Sequence, residues 1–139
     1  MNCFSFEELE IGHEESFVFE LDELKMKQFL MITNDVNPLH NDLEFAKEKG
    51  YSEKVVYGML TASALSTLAG VYLPGEKSLI HSIEVNFVKP VFLSRCPLTV
   101  VGKVIEKEER FLRITIKFTI MDKTGDKVSR GIMKIGFLE

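Results

Sequence analysis

The stretch "DVNPLHND", Asp35 to Asp42, holds carboxylates, amides and an imidazole within eight residues. A carboxylate and an imidazole can divide acid and base work on one substrate. Asp35 and His40 lie five positions apart. On an unbroken helix that spacing puts them on different faces, since facing neighbours are three or four apart. Asn37-Pro38 forbids the unbroken helix. The residue before a proline is pushed out of the α region, and Pro38 has no amide hydrogen to donate. The chain therefore turns, with Asp35 at or just past a helix end and His40 on a turn, and both side chains can then point into one cleft. The same residues also serve as plain turn formers, with His40 on the surface, and for an isolated D-x-N-P segment that is the default.

The elements that must position this stretch follow from periodicity. "HEESFVFEL", 13–21, suits a first strand. Asp22 can cap a helix through "ELKMKQFLMIT" by accepting from free amides of its first turn. A short helix follows from Asp42, with Gly50 as its terminator. "YGMLTASALSTLAGVYLPG", 57–75, carries no charge before Glu76 and reads as a helix buried mid-fold, ended by Pro74-Gly75. From Ser78 on the period becomes two. "HSIEVNF" sets Ile83, Val85 and Phe87 on one face. "PLTVVGKVIEKEE" follows it. "FLRITIKFTI" sets Leu112, Ile114, Ile116, Phe118 and Ile120 opposite Arg113, Thr115, Lys117 and Thr119. "KTGD" is a turn around Gly125, and "KVSRGIMKIGFL" closes the chain. Four strands after one buried helix predict an α+β architecture, an antiparallel sheet around that helix with one dry and one wet face.

Along the buried helix, Gly58, Ala62, Ser66 and Gly70 recur every four positions, so something approaches that side closely. Helix–sheet packing alone accounts for Ala62 and Gly70. Gly58 opens the helix, where free amides carry partial positive charge, and a glycine there lets a carbonyl oxygen come close, as an oxyanion site requires. Ser66 lies about 12 Å further along the axis. Its plain alternative is a bond back to the Ala62 carbonyl.

At 139 residues and 45% hydrophobic content, the chain predicts one domain, 1–139, with a core that needs no staples. A net charge of −4 with interspersed signs argues against nucleic acid as the main partner. Cys3 and Cys96 lie far apart without metal-ligand spacing, which predicts a reduced cytoplasmic protein. The acidic N-terminus lacks a signal-peptide pattern, and no apolar stretch reaches membrane-spanning length. There is no repeat, linker or low-complexity tract. Edge strands of a small curved sheet invite pairing, so a dimer is expected.

"ITNDVNPLHNDLEFA" resembles the hydratase signature of the MaoC-like, (R)-specific enoyl-CoA hydratase family. That signature is a small residue, then D-x-N-P-aliphatic-H, five residues, then Ala or Ser. Thr33, Asp35, Asn37, Pro38, Leu39, His40 and Ala46 fit it. "VVYGMLTASALSTLAG" is similar to the family's central-helix segment, and "NFVKPVF" to its strand leading to a Lys-Pro turn. The resemblance covers almost the whole chain. It implies a hot dog fold, a homodimer or higher homo-oligomer, and reversible syn addition of water to trans-2-enoyl thioesters of coenzyme A or acyl carrier protein, without metal or redox cofactor. It implies that Asp35 and His40 form the catalytic pair and that Gly58 polarises the thioester carbonyl. It further implies that Asn37 contacts substrate or holds the loop, and that Ser66 orients a water or side chain near the pair. Hydration at Cβ needs a base for water, an acid at Cα and stabilisation of enolate charge, and a dyad with a helix-start amide supplies all three. His13 and His81 match no motif position.

The chain departs from the family pattern at three places. Asn34 stands where Gly is frequent, Tyr57 where His commonly precedes Gly58, and "SRCPL", 94–98, replaces the usual turn. Tyr57 is expected to alter the cleft, not the chemistry. Two other functions stay in view. A thioesterase of this fold places a carboxylate on the central helix, and 57–73 has none. A non-catalytic acyl-thioester binding module would have no need of the Asp35–His40 pair. Lys89 and Lys103 are possible phosphate contacts, with solvated surface lysines the default.

Overall fold

The computed structural model describes residues 1–138, so the last position of the expected 1–139 domain, Glu139, lies outside the described residues. Strand β1, Glu14–Phe19, leads into helix α1, Glu23–Thr33. Asp22 caps α1 as expected, accepting from the Lys25 amide at 2.9 Å. Two short helices follow, α2 at Pro38–Asn41 and α3 at Leu43–Glu48. Asp42 caps α3 through the amides of Glu44 and Phe45, and Gly50 follows its end at φ +92°.

The central helix, α4, spans 58–72. It is α-helical at Gly58–Ala62 and Ala64–Thr67 and widens to a π turn at Leu68–Tyr72. The sequence predicts an unbroken α-helix here. The difference is an i→i−5 bond from the Leu73 amide to the Leu68 carbonyl, 2.8 Å long, and the wider turn brings both leucines fully into the core. Strands β2 (Ser78–Phe87), β3 (Leu98–Glu108), β4 (Arg113–Met121) and β5 (Lys127–Phe137) complete the chain.

The five strands form one sheet in the order β1-β3-β4-β5-β2, every neighbour antiparallel. The alternation expected of β4 holds in part: Ile114, Ile116, Phe118 and Ile120 are fully buried, but Leu112 precedes the strand in the left-handed region at φ 46° and Thr115, expected on the wet face, is buried as well. They pack with Leu65, Leu68 and Ala69 of α4 and with Met133 and Ile135 of β5. The helix comes so near the sheet that a Cβ at Gly102 of β3 would meet Leu68 at 2.9 Å. No helix among the described residues is long and apolar enough to cross a membrane.

Strand β2 behaves differently. It is an edge strand, and the face expected to be dry is largely open: Ile83 and Phe87 are 42% and 51% exposed, and only Val85 packs in part against the core. The small-residue stripe of α4 looks the same way. Ala62 and Ser66 line a groove of about 690 Å³ with Ile80, Ile83, Val85 and Phe87. The ends of the stripe meet the chain's own sheet, Gly58 facing Phe87 and Gly70 facing Ser78 of β2, while Ala62 and Ser66 between them stay on the groove.

Candidate active site

The loop after α1 is built by its own side chains. Asn34 ends the helix in the left-handed region at φ 57°, its amide donating to the Leu30 carbonyl at 2.7 Å. The Thr33 hydroxyl donates to the Phe29 carbonyl and accepts from the Asp35 amide at 3.2 Å. The Asp35 carboxylate accepts from the Asn37 amide at 3.1 Å. Asn37 caps α2, its Oδ1 accepting from the Leu39 amide at 2.9 Å with Pro38 in the first helical position. His40 thus stands on one turn of helix and not on an open turn. A proline is harmless where the amide would be free anyway, and the asparagine cap completes the nucleus. Of the two roles expected for Asn37, its side chain performs the loop-holding one.

His40 is half-buried, and its Nδ1 lies 2.7 Å from the Val55 carbonyl. A carbonyl only accepts, so this bond assigns the proton to Nδ1 and leaves the Nε2 lone pair free. The ring lies against Tyr57, centroids 4.3 Å apart. Tyr57 is 2% exposed, and its hydroxyl donates to the backbone carbonyl of Asp35 at 2.9 Å while accepting from Asn41 Nδ2 at 3.0 Å. Asn41 Nδ2 also donates to the Asn37 carbonyl at 2.9 Å. One tyrosine therefore ties the central helix to the Asp35 loop and backs the imidazole.

Asp35, His40 and Gly58 line one cavity of about 290 Å³, together with Phe29, Tyr57 and Phe87. At the start of α4 no side chain caps the helix, and the Gly58 amide has no acceptor among the described residues. A Cβ on Gly58 would come within 3.2 Å of Phe87, so glycine keeps the gap between helix start and ring open. The cavity combines a carboxylate, an imidazole nitrogen with a free lone pair and a free helix-start amide. Asn37 does not line it. Ser66 lies on the neighbouring groove, which shares Phe29, Met59 and Phe87 with the cavity. The resemblance carries Ser66 to the vicinity of the pair; its side chain is exposed and lines the groove. Lys89 lines a second cavity, which shares His40, Gly58 and Phe87 with the first, and pairs with Asp126 at 3.4 Å. His13 meets Glu15, and His81 is exposed on β2.

Sequence reasoning missed the part played by Tyr57 and Asn41. The signal was present as a departure, Tyr57 in place of the family's usual histidine, but its partners are 16 and 22 residues away. Tyr57→Phe is expected to lower stability by about 1–2 kcal/mol, because it strips a buried polar contact from the Asp35 carbonyl and Asn41. It should lower turnover roughly tenfold by loosening the loop. Chemical denaturation and steady-state kinetics on the same preparation check both, and an unchanged turnover would remove Tyr57 from any positioning role.

The "MaoC like domain" family model matches residues 10–124. The chain is 34% identical over 89 residues to a curated (R)-specific enoyl-CoA hydratase of Aeromonas caviae, the match covering 64% of this chain and 66% of the relative. It is 34% identical over 86 residues to a 3-hydroxybutyryl-CoA dehydratase of Methylorubrum extorquens, covering 62% of this chain and 55% of that one. The chain thus spans just under two thirds and just over half of these two relatives. A solved structure described as an (R)-hydratase from A. caviae involved in PHA biosynthesis superposes with a TM-score of 0.87 at 28% identity, covering 93% of this chain and 97% of the other. With the expected fold observed and the family model spanning most of its length, the chain belongs to the MaoC-like domain family, and its fold is the hot dog fold.

Proposed function

We propose that this chain adds water reversibly across the double bond of trans-2-enoyl thioesters, on coenzyme A or acyl carrier protein, giving (R)-3-hydroxyacyl thioesters. The observation that carries the proposal is the meeting of Asp35, His40 and the free Gly58 amide around one cavity. In the reaction a water O–H bond breaks as its oxygen bonds to Cβ. One member of the Asp35–His40 pair takes that proton, and a proton is returned to Cα on the same face, so the pair ends in its starting charge. His40 is suited to accept at Nε2 because Nδ1 is engaged with Val55. The Gly58 amide faces the thioester oxygen, where enolate charge develops. The names of the A. caviae and M. extorquens relatives support the same chemistry. Thioester hydrolysis is disfavoured by the lack of any carboxylate on 58–72, and a pure binder has no use for the pair. The proposal requires no metal or redox cofactor.

The test is loss of the conjugated enoyl-thioester absorbance when purified protein meets trans-2-butenoyl-CoA, with the configuration of the product determined. Absence of turnover with short, medium and carrier-protein-bound substrates would overturn the proposal.

Two copies are proposed to pair along β2, whose free edge and open apolar face adjoin the site through Phe87. Ile83→Lys is expected to shift the particle toward monomer in light scattering and to lower activity. A variant that stays the size of wild type would count against pairing through this face. The free thiols Cys3 and Cys96 support a reducing, cytoplasmic setting.

A further inference from the structure

Asn41 closes α2 one residue past His40, and it lines neither the two cavities beside the pair nor the groove. Its side-chain amide still meets the groups that hold the pair. Nδ2 lies 2.9 Å from the Asn37 carbonyl, 3.4 Å from the Asp35 carbonyl and 3.0 Å from the Tyr57 hydroxyl oxygen. Oδ1 lies 3.2 Å from that same hydroxyl. A carbonyl only accepts, so the two carbonyls fix which end of the amide faces them. Nδ2 has two hydrogens, and its two close contacts, Asn37 and Tyr57, use both. Tyr57 has a single hydroxyl proton and two acceptors within reach, the Asp35 carbonyl at 2.9 Å and Asn41 Oδ1 at 3.2 Å. A hydroxyl oxygen that accepts from an amide is polarised into a better donor. Donation by Nδ2 therefore leaves the proton for the Asp35 carbonyl, the nearer acceptor.

We propose that Asn41 is a positioning residue for the Asp35–His40 pair: its amide commits the Tyr57 hydroxyl proton to the Asp35 carbonyl. This rests on the hydratase reading above. The local turn does not need that bond. The Thr33 hydroxyl accepts from the Asp35 amide, and the Asp35 carboxylate accepts from the Asn37 amide, all within the loop. What the Tyr57 proton adds is the link from the loop to α4, whose first residue, Gly58, follows Tyr57 directly. The same side chain packs on the His40 ring, with centroids 4.3 Å apart. One phenol thus sets Asp35, His40 and the helix-start amide in a common frame, and Asn41 decides which way its proton points. Reaction rates fall steeply when reacting groups lose such alignment.

Asn41→Asp keeps the shape and replaces the donor by an acceptor, so the Tyr57 proton turns toward residue 41. Asn41→Ala removes donor and acceptor together and leaves the Asp35 carbonyl as the acceptor for that proton. Both variants lose the Asn37 contact, so the difference between them isolates the hydroxyl proton. With the full chain and trans-2-butenoyl-CoA, Asn41→Asp is expected to lower kcat about tenfold, as expected of Tyr57→Phe, with KM within about twofold. Asn41→Ala should lose less than Asn41→Asp. In a Tyr57→Phe background, Asn41→Asp should add less than about twofold, because the proton it would divert is gone. A role in shape alone gives the reverse order, with Asp milder than Ala, and overturns the proposal. A loss from Asn41→Asp that persists in the Tyr57→Phe background traces to the added charge and overturns it as well.

The bond itself is read from the carbonyl-carbon chemical shift of Asp35 in isotope-labelled protein, which moves when a hydrogen-bond donor is lost. Asn41→Asp should move that shift in the same direction as Tyr57→Phe, and Asn41→Ala should leave it nearer wild type. An Asp35 shift unmoved by Asn41→Asp overturns the proposal. A wild type that hydrates no thioester refutes the hydratase reading, while the shift still shows whether Asn41 directs the Tyr57 proton.

Discussion

Asp35→Asn is expected to leave the fold intact and lower turnover by roughly 10²–10⁴-fold. The substitution is nearly isosteric, and the amide oxygen can still accept from the Asn37 amide, as the carboxylate does at 3.1 Å. The Tyr57 bond reaches the backbone carbonyl of residue 35 and is indifferent to the side chain. Asp35 is exposed on its loop, so stability should stay within about 0.5 kcal/mol of wild type. What the variant removes is the negative charge and the capacity to exchange a proton within the cavity. Steady-state hydration kinetics with a thermal melt on the same sample separate these effects. Turnover within tenfold of wild type would take the carboxylate out of the chemistry.

His40→Ala is expected to lower turnover by a similar factor, roughly 10²–10⁴-fold, with a stability loss of about 1–3 kcal/mol. The stability loss has a separate origin. The Val55 carbonyl loses its donor, and Tyr57 loses the ring packed 4.3 Å away. On the proposal that the two residues act on one water, the double variant with Asp35→Asn should lose little more than the worse single variant. Losses that multiply would show two independent roles in place of one unit. Kinetics on the two singles and the double, corrected for folded fraction from a denaturation curve, decide this.

Much of the architecture around the pair is local and so was legible. The cap by Asp22 acts over three residues, and the Asp35, Asn37 and Asp42 turns over two or three. Side-chain oxygens that bond to nearby amides declare themselves by residue type and spacing alone. The alternation of β4 is equally local, since a strand with one buried face must repeat every two residues. Even the glycine at the helix start could be argued from a free amide and a missing Cβ.

The remaining features are contacts between distant parts of the chain. The apolar face of β2 has the alternation of a buried strand, but alternation does not say what covers it, and in a single chain Ile83 and Phe87 stay open while Val85 packs only in part. The π turn at Leu68–Tyr72 answers to how α4 must lie on the sheet, not to a pattern within those residues.

The sequence by itself determined the order of elements and the broken helix at Asn37-Pro38, because short-range bonds and periodic burial act through neighbouring residues, and its resemblance singled out Asp35 and His40 as the pair proposed above. Only the tertiary structure decided that Val55 sets the histidine's tautomer and that Tyr57 pins the Asp35 loop. It alone left Ser66 on an open groove. Those outcomes depend on which backbone carbonyl or side chain arrives from 15, 22 or more residues away, and packing of the whole sheet around the central helix settles that.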